Sequence, residues 1–108
     1  MIQQPIADEE DIVQAAACLK AMSHPLRLKI LCILGGGPTS VQEIVEKVGT
    51  TQSNVSQHLA ILRQKGLLTF DKRANKVFYR IDDPRTLKLI EMIREVFCHH
   101  DPRITEAH

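Results

Sequence analysis

The sequence contains no tryptophan, one tyrosine and three phenylalanines, so aromatic residues fill only 4% of its 108 positions. Aliphatic side chains must therefore supply the interior. Long apolar runs are missing as well, and no stretch approaches the roughly 18 residues that a membrane-crossing helix needs. The opening MIQQPIADEED is acidic where a secretory signal is basic and then hydrophobic, so the chain is expected in the cytoplasm. Cysteine is scarce and odd in number: Cys18, Cys32 and Cys98 are widely spaced and do not form the disulfide framework of a small secreted domain. They are expected to be thiols at rest. Gly35, Gly36 and Gly37 lack the following Lys-Ser or Lys-Thr of a phosphate-binding loop, and no Ser, His and acid cluster is suggested. Neither an enzyme nor a cofactor is expected.

What is present suits one small domain over residues 1–108, with 1–7 and 102–108 expected to be flexible tails. A chain of this size buries only about 60 to 65% of its unfolded surface, so a partner subunit would help it. The net charge of +1 hides a segregation. Residues 50 to 81 hold Arg63, Lys65, Lys72, Arg73, Lys76 and Arg80 against Asp71 alone, while residues 1 to 20 set Asp8, Glu9, Glu10 and Asp11 against Lys20. Local positive charge is what a polyanion-binding surface needs, but a solvated face is the commoner source of such a cluster. The pattern inside the segment has to decide.

Residues 8 to 22 read as a helix with acids in its first turn, where the helix dipole favours them. Ser23 or His24 can cap a second helix with Pro25 at its first position, and the three glycines end it. Its nearly continuous apolar run, LRLKILCIL, predicts a buried central helix. Thr39 or Ser40 caps SVQEIVEKVG, with Glu43 placed for a capping box and Gly49 at the stop. Thr50 or Thr51 opens the next helix almost at once, which is the pattern of a helix-turn-helix. In LLTFDKRANKVFYRI the period changes: Leu68 and Phe70 precede a polar Asp-Lys-Arg-Ala-Asn tip, and Val77, Tyr79 and Ile81 alternate after it. That predicts a hairpin, after which Pro84 opens a last helix through LKLIEMIREVFC.

On a wheel of about 100° per residue, Val55, Leu59 and Leu62 share a narrow inward arc. The opposite side collects Ser53, Ser56, Gln57 and Ala60, short or amide-bearing residues suited to base edges. An ordinary solvated face would carry Glu and Lys, and this arc has neither. Gln52, Ser53, Ser56 and Gln57 are therefore expected to face double-stranded DNA, and Lys72, Arg73 and Lys76 of the hairpin to meet phosphates. His58 lies nearer the buried arc and suits packing or capping better than base contact. The expected fold is mainly α with a small β-hairpin, a winged helix-turn-helix of order α-α-α-α-β-β-α.

Together MSHPLRLKILCIL, SNVSQHLAILRQKGLL and KVFYRI resemble the ArsR-SmtB family of dimeric bacterial repressors, over about residues 10 to 100. The resemblance implies a homodimer formed by the first and last helices, with each recognition helix in a major groove of a palindromic operator. It does not fix the inducer. The thiolate metal site near the third helix needs a Cys-x-Cys cluster, and SVQEIVEKV holds none. For the zinc site of the last helix, Asp83 and His99 match two ligand positions while Arg85 and Val96 occupy the other two, which cannot hold tetrahedral zinc. Cys32 and Cys98 instead resemble the persulfide- and redox-sensing branch. What that implies is a dithiol switch: persulfide, polysulfide or an oxidant joins the two cysteines, and the operator is released. A metal- or metalloid-sensing repressor using Cys32, Cys98 and a histidine stays open, since soft thiolates accept As(III), Cu(I) or Zn(II). Cys18 matches no switch position and is expected to pack in the dimer seam; His99 and His100 are expected to face solvent and modify the Cys98 thiol.

Overall fold

The computed structural model describes residues 8–97. The expected tails, and Cys98, His99 and His100, lie outside the described residues. The elements run α1 (Glu9–Met22), α2 (Pro25–Leu34), β1 (Thr39–Ser40), α3 (Val41–Val48), α4 (Gln52–Gln64), β2 (Thr69–Arg73), β3 (Lys76–Arg80) and α5 (Pro84–Phe97).

Local chemistry sets most boundaries. His24 caps α2, its Nδ1 accepting the Leu26 N–H at 3.1 Å, and Pro25 occupies the first turn, where no donor is missed. Ser40 caps α3 by accepting the Glu43 N–H at 3.1 Å. The reciprocal contact runs through the side chain, with the Ser40 hydroxyl donating to the Glu43 carboxylate at 3.4 Å. Thr51 Oγ1 accepts the Asn54 N–H at 3.1 Å and Thr50 Oγ1 accepts from Asn54 Nδ2 at 3.2 Å, so both threonines secure the start of α4. Gly49 ends α3 at φ +82°, a left-handed conformation that costs glycine little.

The sheet differs from the expectation of a hairpin alone. It has three antiparallel strands in the order β1-β3-β2, with Thr39 opposite Tyr79 and Ser40 opposite Phe78. Two residues are too short to show a strand period, which is why β1 escapes the sequence pattern. The hairpin is also tighter than expected. Asp71, Lys72 and Arg73 belong to β2, and only Ala74 (φ +48°) and Asn75 (φ +71°) make the turn between the paired Arg73 and Lys76. Two positive φ values in a two-residue loop match the strand twist, and asparagine tolerates that region better than alanine. Ala74→Gly is therefore expected to stabilise the fold by about 0.5–1 kcal/mol, the relief of left-handed strain less the entropy glycine adds to the unfolded chain. An unchanged or lower urea midpoint would count against this turn geometry.

Ile30, Leu31, Leu34, Ile44, Val55, Leu59, Leu62 and Ile90 are fully buried, so α2, α3, α4 and α5 share one aliphatic core. α2 packs against all four other helices, as its apolar run predicts. The two outer helices are less satisfied. Ile12, Val13 and Leu19 of α1 and Leu89, Met92, Val96 and Phe97 of α5 remain exposed, Phe97 by 77%. Among the described residues no helix is long and apolar enough to cross a membrane.

Candidate nucleic-acid interface

The packing of α4 decides which face it offers. Val55, Leu59 and Leu62 turn into the core, which leaves Gln52, Ser53, Ser56, Gln57 and Ala60 exposed on the outer side. The expected inward and outward arcs are both observed. Between this outer side and the wing formed by β2 and β3 runs a groove of about 440 Å³. Gln52 and Ser56 line it together with Asn75 and Lys76 of the wing and Gln42 of α3. Folding thus unites two of the expected α4 residues with one of the expected wing cations. Ser53, Gln57, Lys72 and Arg73 are exposed but do not line the groove. Gln42 was not singled out from the sequence, where it is one polar position on a short helix; only the tertiary arrangement brings it beside Gln52.

Aromatic rings position the cations. The Arg73 guanidinium lies over Phe78 at 5.4 Å, and that of Arg63, near the end of α4, lies over Phe70 of β2 at 4.8 Å. The first contact braces the wing internally and the second joins α4 to it, and neither neutralises its arginine. Arg80 is different. It is ion-paired with Asp71 at 3.0 Å and with Asp82, so one of the six basic residues of the segment has its charge balanced inside the protein.

Behind α4 lies a basic and imidazole cluster that links residues distant in sequence. Arg27 of α2 donates through Nε to the Ala21 carbonyl at the end of α1 and places its NH1 3.3 Å from His58 Nδ1. The His58 ring packs on His24 with centroids 4.6 Å apart. His58 thus packs, as expected, and does not reach outward. Burial first, then the neighbouring His24 and Arg27, push its pKa below the usual 6.5.

A second groove, about 900 Å³, separates α2 from α5. Cys32 lines it beside Leu28, Lys29 and Ile33, with Glu91, Arg94 and Glu95 across from it. Approach of the two helices is close at Gly35, where a Cβ would meet the Cys32 carbonyl oxygen at 3.2 Å and the Arg94 guanidinium at 3.6 Å. Cys98, the other expected switch residue, lies outside the described residues, following Phe97 directly. Cys18 is partly buried: its Sγ packs toward the Lys65 carbonyl, 3.9 Å away, and against the core. Asp83 is engaged as well: both its oxygens meet the Arg85 guanidinium, at 3.1 and 2.8 Å, and one accepts the Arg85 N–H at 2.9 Å. Those Arg85 hydrogen bonds hold its carboxyl below the usual range. Zinc ligation by Asp83 would have to displace a cation, so the last-helix zinc site does not fit these residues. Among the described residues no group of three His, Cys, Asp or Glu is arranged to hold a metal.

A helix-turn-helix whose second helix exposes short polar residues beside a basic wing defines a winged-helix DNA-binding regulator. Residues 24–69 match the family model described as bacterial regulatory protein, arsR family. The HTH-type transcriptional regulator YgaV of Escherichia coli is 44% identical over 79% of this chain and 87% of its own length. The biofilm growth-associated repressor of Agrobacterium fabrum is 35% identical over 85% and 79%. Reduced HlyU from Vibrio cholerae superimposes with a TM-score of 0.80 at 37% identity, covering 84% of this chain and 96% of that one. A homodimeric winged helix-turn-helix DNA-binding domain from Mycobacterium bovis gives 0.76 at 26% identity, with 94% of each chain covered. The chain belongs to the ArsR family of bacterial transcriptional regulators.

Proposed function

We propose that this chain is a cytoplasmic, homodimeric repressor that reads a palindromic operator through α4 and releases it when Cys32 and Cys98 are linked by reactive sulfur species or an oxidant. The observation that carries the reading is the groove in which Gln52 and Ser56 meet Lys76, because base-reading amides and a phosphate-seeking cation converge there. Gln52, Ser53, Ser56 and Gln57 then serve the bases, and Lys72, Arg73 and Lys76 the backbone.

The homodimer is supported by the exposed apolar residues of α1 and α5 and by the homodimeric neighbour from Mycobacterium bovis. Light scattering at micromolar concentration is expected to give twice the 12.2 kDa chain mass. Met92→Glu, which puts a charge on the 55% exposed Met92, should give monomer. A wild-type monomer at that concentration would contradict the assembly.

The switch is supported by the place of Cys32 in the α2–α5 groove and by a relative solved in a form specified as reduced. Two persulfides R–S–SH each transfer their terminal sulfur to a cysteine thiolate and leave as RSH. The Cys98 persulfide anion then attacks the inner sulfur of the Cys32 persulfide, expelling HS⁻ and closing a trisulfide. Peroxide reaches a plain disulfide instead, through a sulfenic acid and loss of two waters. Mass spectrometry after treatment with a persulfide donor, peroxide or metal salts tests this. A Cys32–Cys98 crosslink carrying extra sulfur supports the reading; unmodified thiols that retain As(III), Cu(I) or Zn(II) would replace it with metal sensing.

A further inference from the structure

We propose that His24, Arg27 and His58 form a proton-sensitive latch between α2 and α4, so that DNA affinity falls as the pH drops through the titration range of histidine. The proposal rests on the reading of α4 as the DNA-reading helix and adds a second input to it, independent of the thiols.

Each imidazole has its Nδ1 lone pair in use. His24 spends its own on the Leu26 N–H, at 3.1 Å, as the cap of α2. His58 presents Nδ1 to Arg27 NH1 at 3.3 Å, and a permanently charged guanidinium can only donate, so His58 accepts. The His58 ring is therefore neutral in this arrangement, with its remaining proton on Nε2. Arg27 is itself fixed from the other side by the Ala21 carbonyl. The latch thus ties the end of α1, the start of α2 and the middle of α4 at one point.

A proton on His58 would replace an accepted hydrogen bond by repulsion from Arg27. The His24 ring packs on that of His58 with centroids 4.6 Å apart. Among the described residues the charged or titratable groups that act on His58 are His24 and Arg27; α1 contributes only the uncharged Ala21 carbonyl, through Arg27. Among the described residues no carboxylate acts on the ring to offset the charge. The lowered pKa of His58 agrees with this geometry.

The sign is diagnostic. Adding positive charge to a DNA-facing helix ordinarily strengthens attraction to phosphate. His58 is half-buried behind α4, so its proton acts on the pose of the helix more than on the polyanion, and acid should weaken binding. Stability follows the same linkage. The unfolded imidazole titrates near the ordinary 6.5 and the folded one lower, so stability is full above about pH 6.5 and declines as pH falls through the interval between the two values.

The test uses the full chain and a duplex that the wild-type protein selects from random-sequence DNA, at constant ionic strength. Between pH 8 and 5.5 the wild type should lose about three- to tenfold in affinity. His58→Asn keeps an acceptor near the Nδ1 position but cannot titrate, and should be flat or tighten slightly. Identical pH profiles in the two proteins would overturn the latch, whereas absence of DNA binding at pH 8 would overturn the DNA reading itself. Should His58→Asn not fold, NMR titration of the wild-type His58 ring decides: a midpoint below 6.5 supports the latch, and one at or above 6.5 removes it.

Discussion

Cys32→Ser and Cys98→Ser are each expected to bind operator within about twofold of wild type and to lose release by a persulfide donor entirely, a difference that in allosteric regulators typically spans about 5- to 150-fold in affinity. The unchanged basal affinity follows from placement. The groove that holds Cys32 is built from α2 and α5, the groove beside the wing from α3, α4 and the strands, and they share no residue. Serine conserves size at the half-buried Cys32 position but its hydroxyl does not take up sulfane sulfur at neutral pH. Release must therefore travel through the backbone. A bridge from Cys32 to Cys98 would tie α5 to α2, and α5 carries much of the proposed dimer face. Changing the angle between subunits shifts the two α4 helices away from the separation of one DNA turn, which weakens binding with every base contact intact. A plain disulfide requires Cα atoms within about 7 Å, and each added sulfur relaxes that limit, so polysulfide can close a gap that peroxide cannot. Cys18→Ser should respond like wild type, because Cys18 faces the Lys65 carbonyl and the core. A Cys98→Ser protein that still releases DNA on persulfide treatment would end this mechanism.

The sequence carried the helices, the recognition face and the wing because each is governed by neighbours a few residues away. Val55, Leu59 and Leu62 recur at helical spacing, and all three are buried. The caps His24, Ser40 and Thr51 lie two or three residues from the amides they serve. What escaped depends on tertiary meeting. β1 exists only because Thr39 and Ser40 find Tyr79 and Phe78 across the sheet. The Arg27–His58 contact joins residues 31 apart, and no local period announces it. How α1 divides its faces is equally a tertiary matter. Cys18, Ala21 and Met22 lie against the core while Ile12, Val13 and Leu19 point outward.

Operator binding should weaken by about a thousandfold between 50 and 200 mM salt. Lys72, Arg73 and Lys76 on two wings supply about six phosphate contacts, and each released counterion contributes a slope of about 0.9 in the logarithmic plot. Arg73→Ala removes one contact per subunit, so its slope should be shallower by about 2 and its affinity lower on every duplex alike. Part of that loss belongs to Phe78, since the Arg73 guanidinium rests on its ring and holds the wing tip in shape. Arg73→Lys separates the two: it restores the charge but stacks less well, and should recover the slope while recovering only part of the affinity. Gln57→Ala behaves in the opposite way. Gln57 is exposed on α4 away from the wing groove, with an amide suited to a base edge and no charge to release a counterion. Its loss should leave the salt slope unchanged, cost about 1 to 3 kcal/mol on the preferred sequence and almost nothing on unrelated DNA. A Gln57→Ala protein with full discrimination, together with an Arg73→Ala protein of unchanged slope, would show that DNA does not meet this face of α4 and this wing.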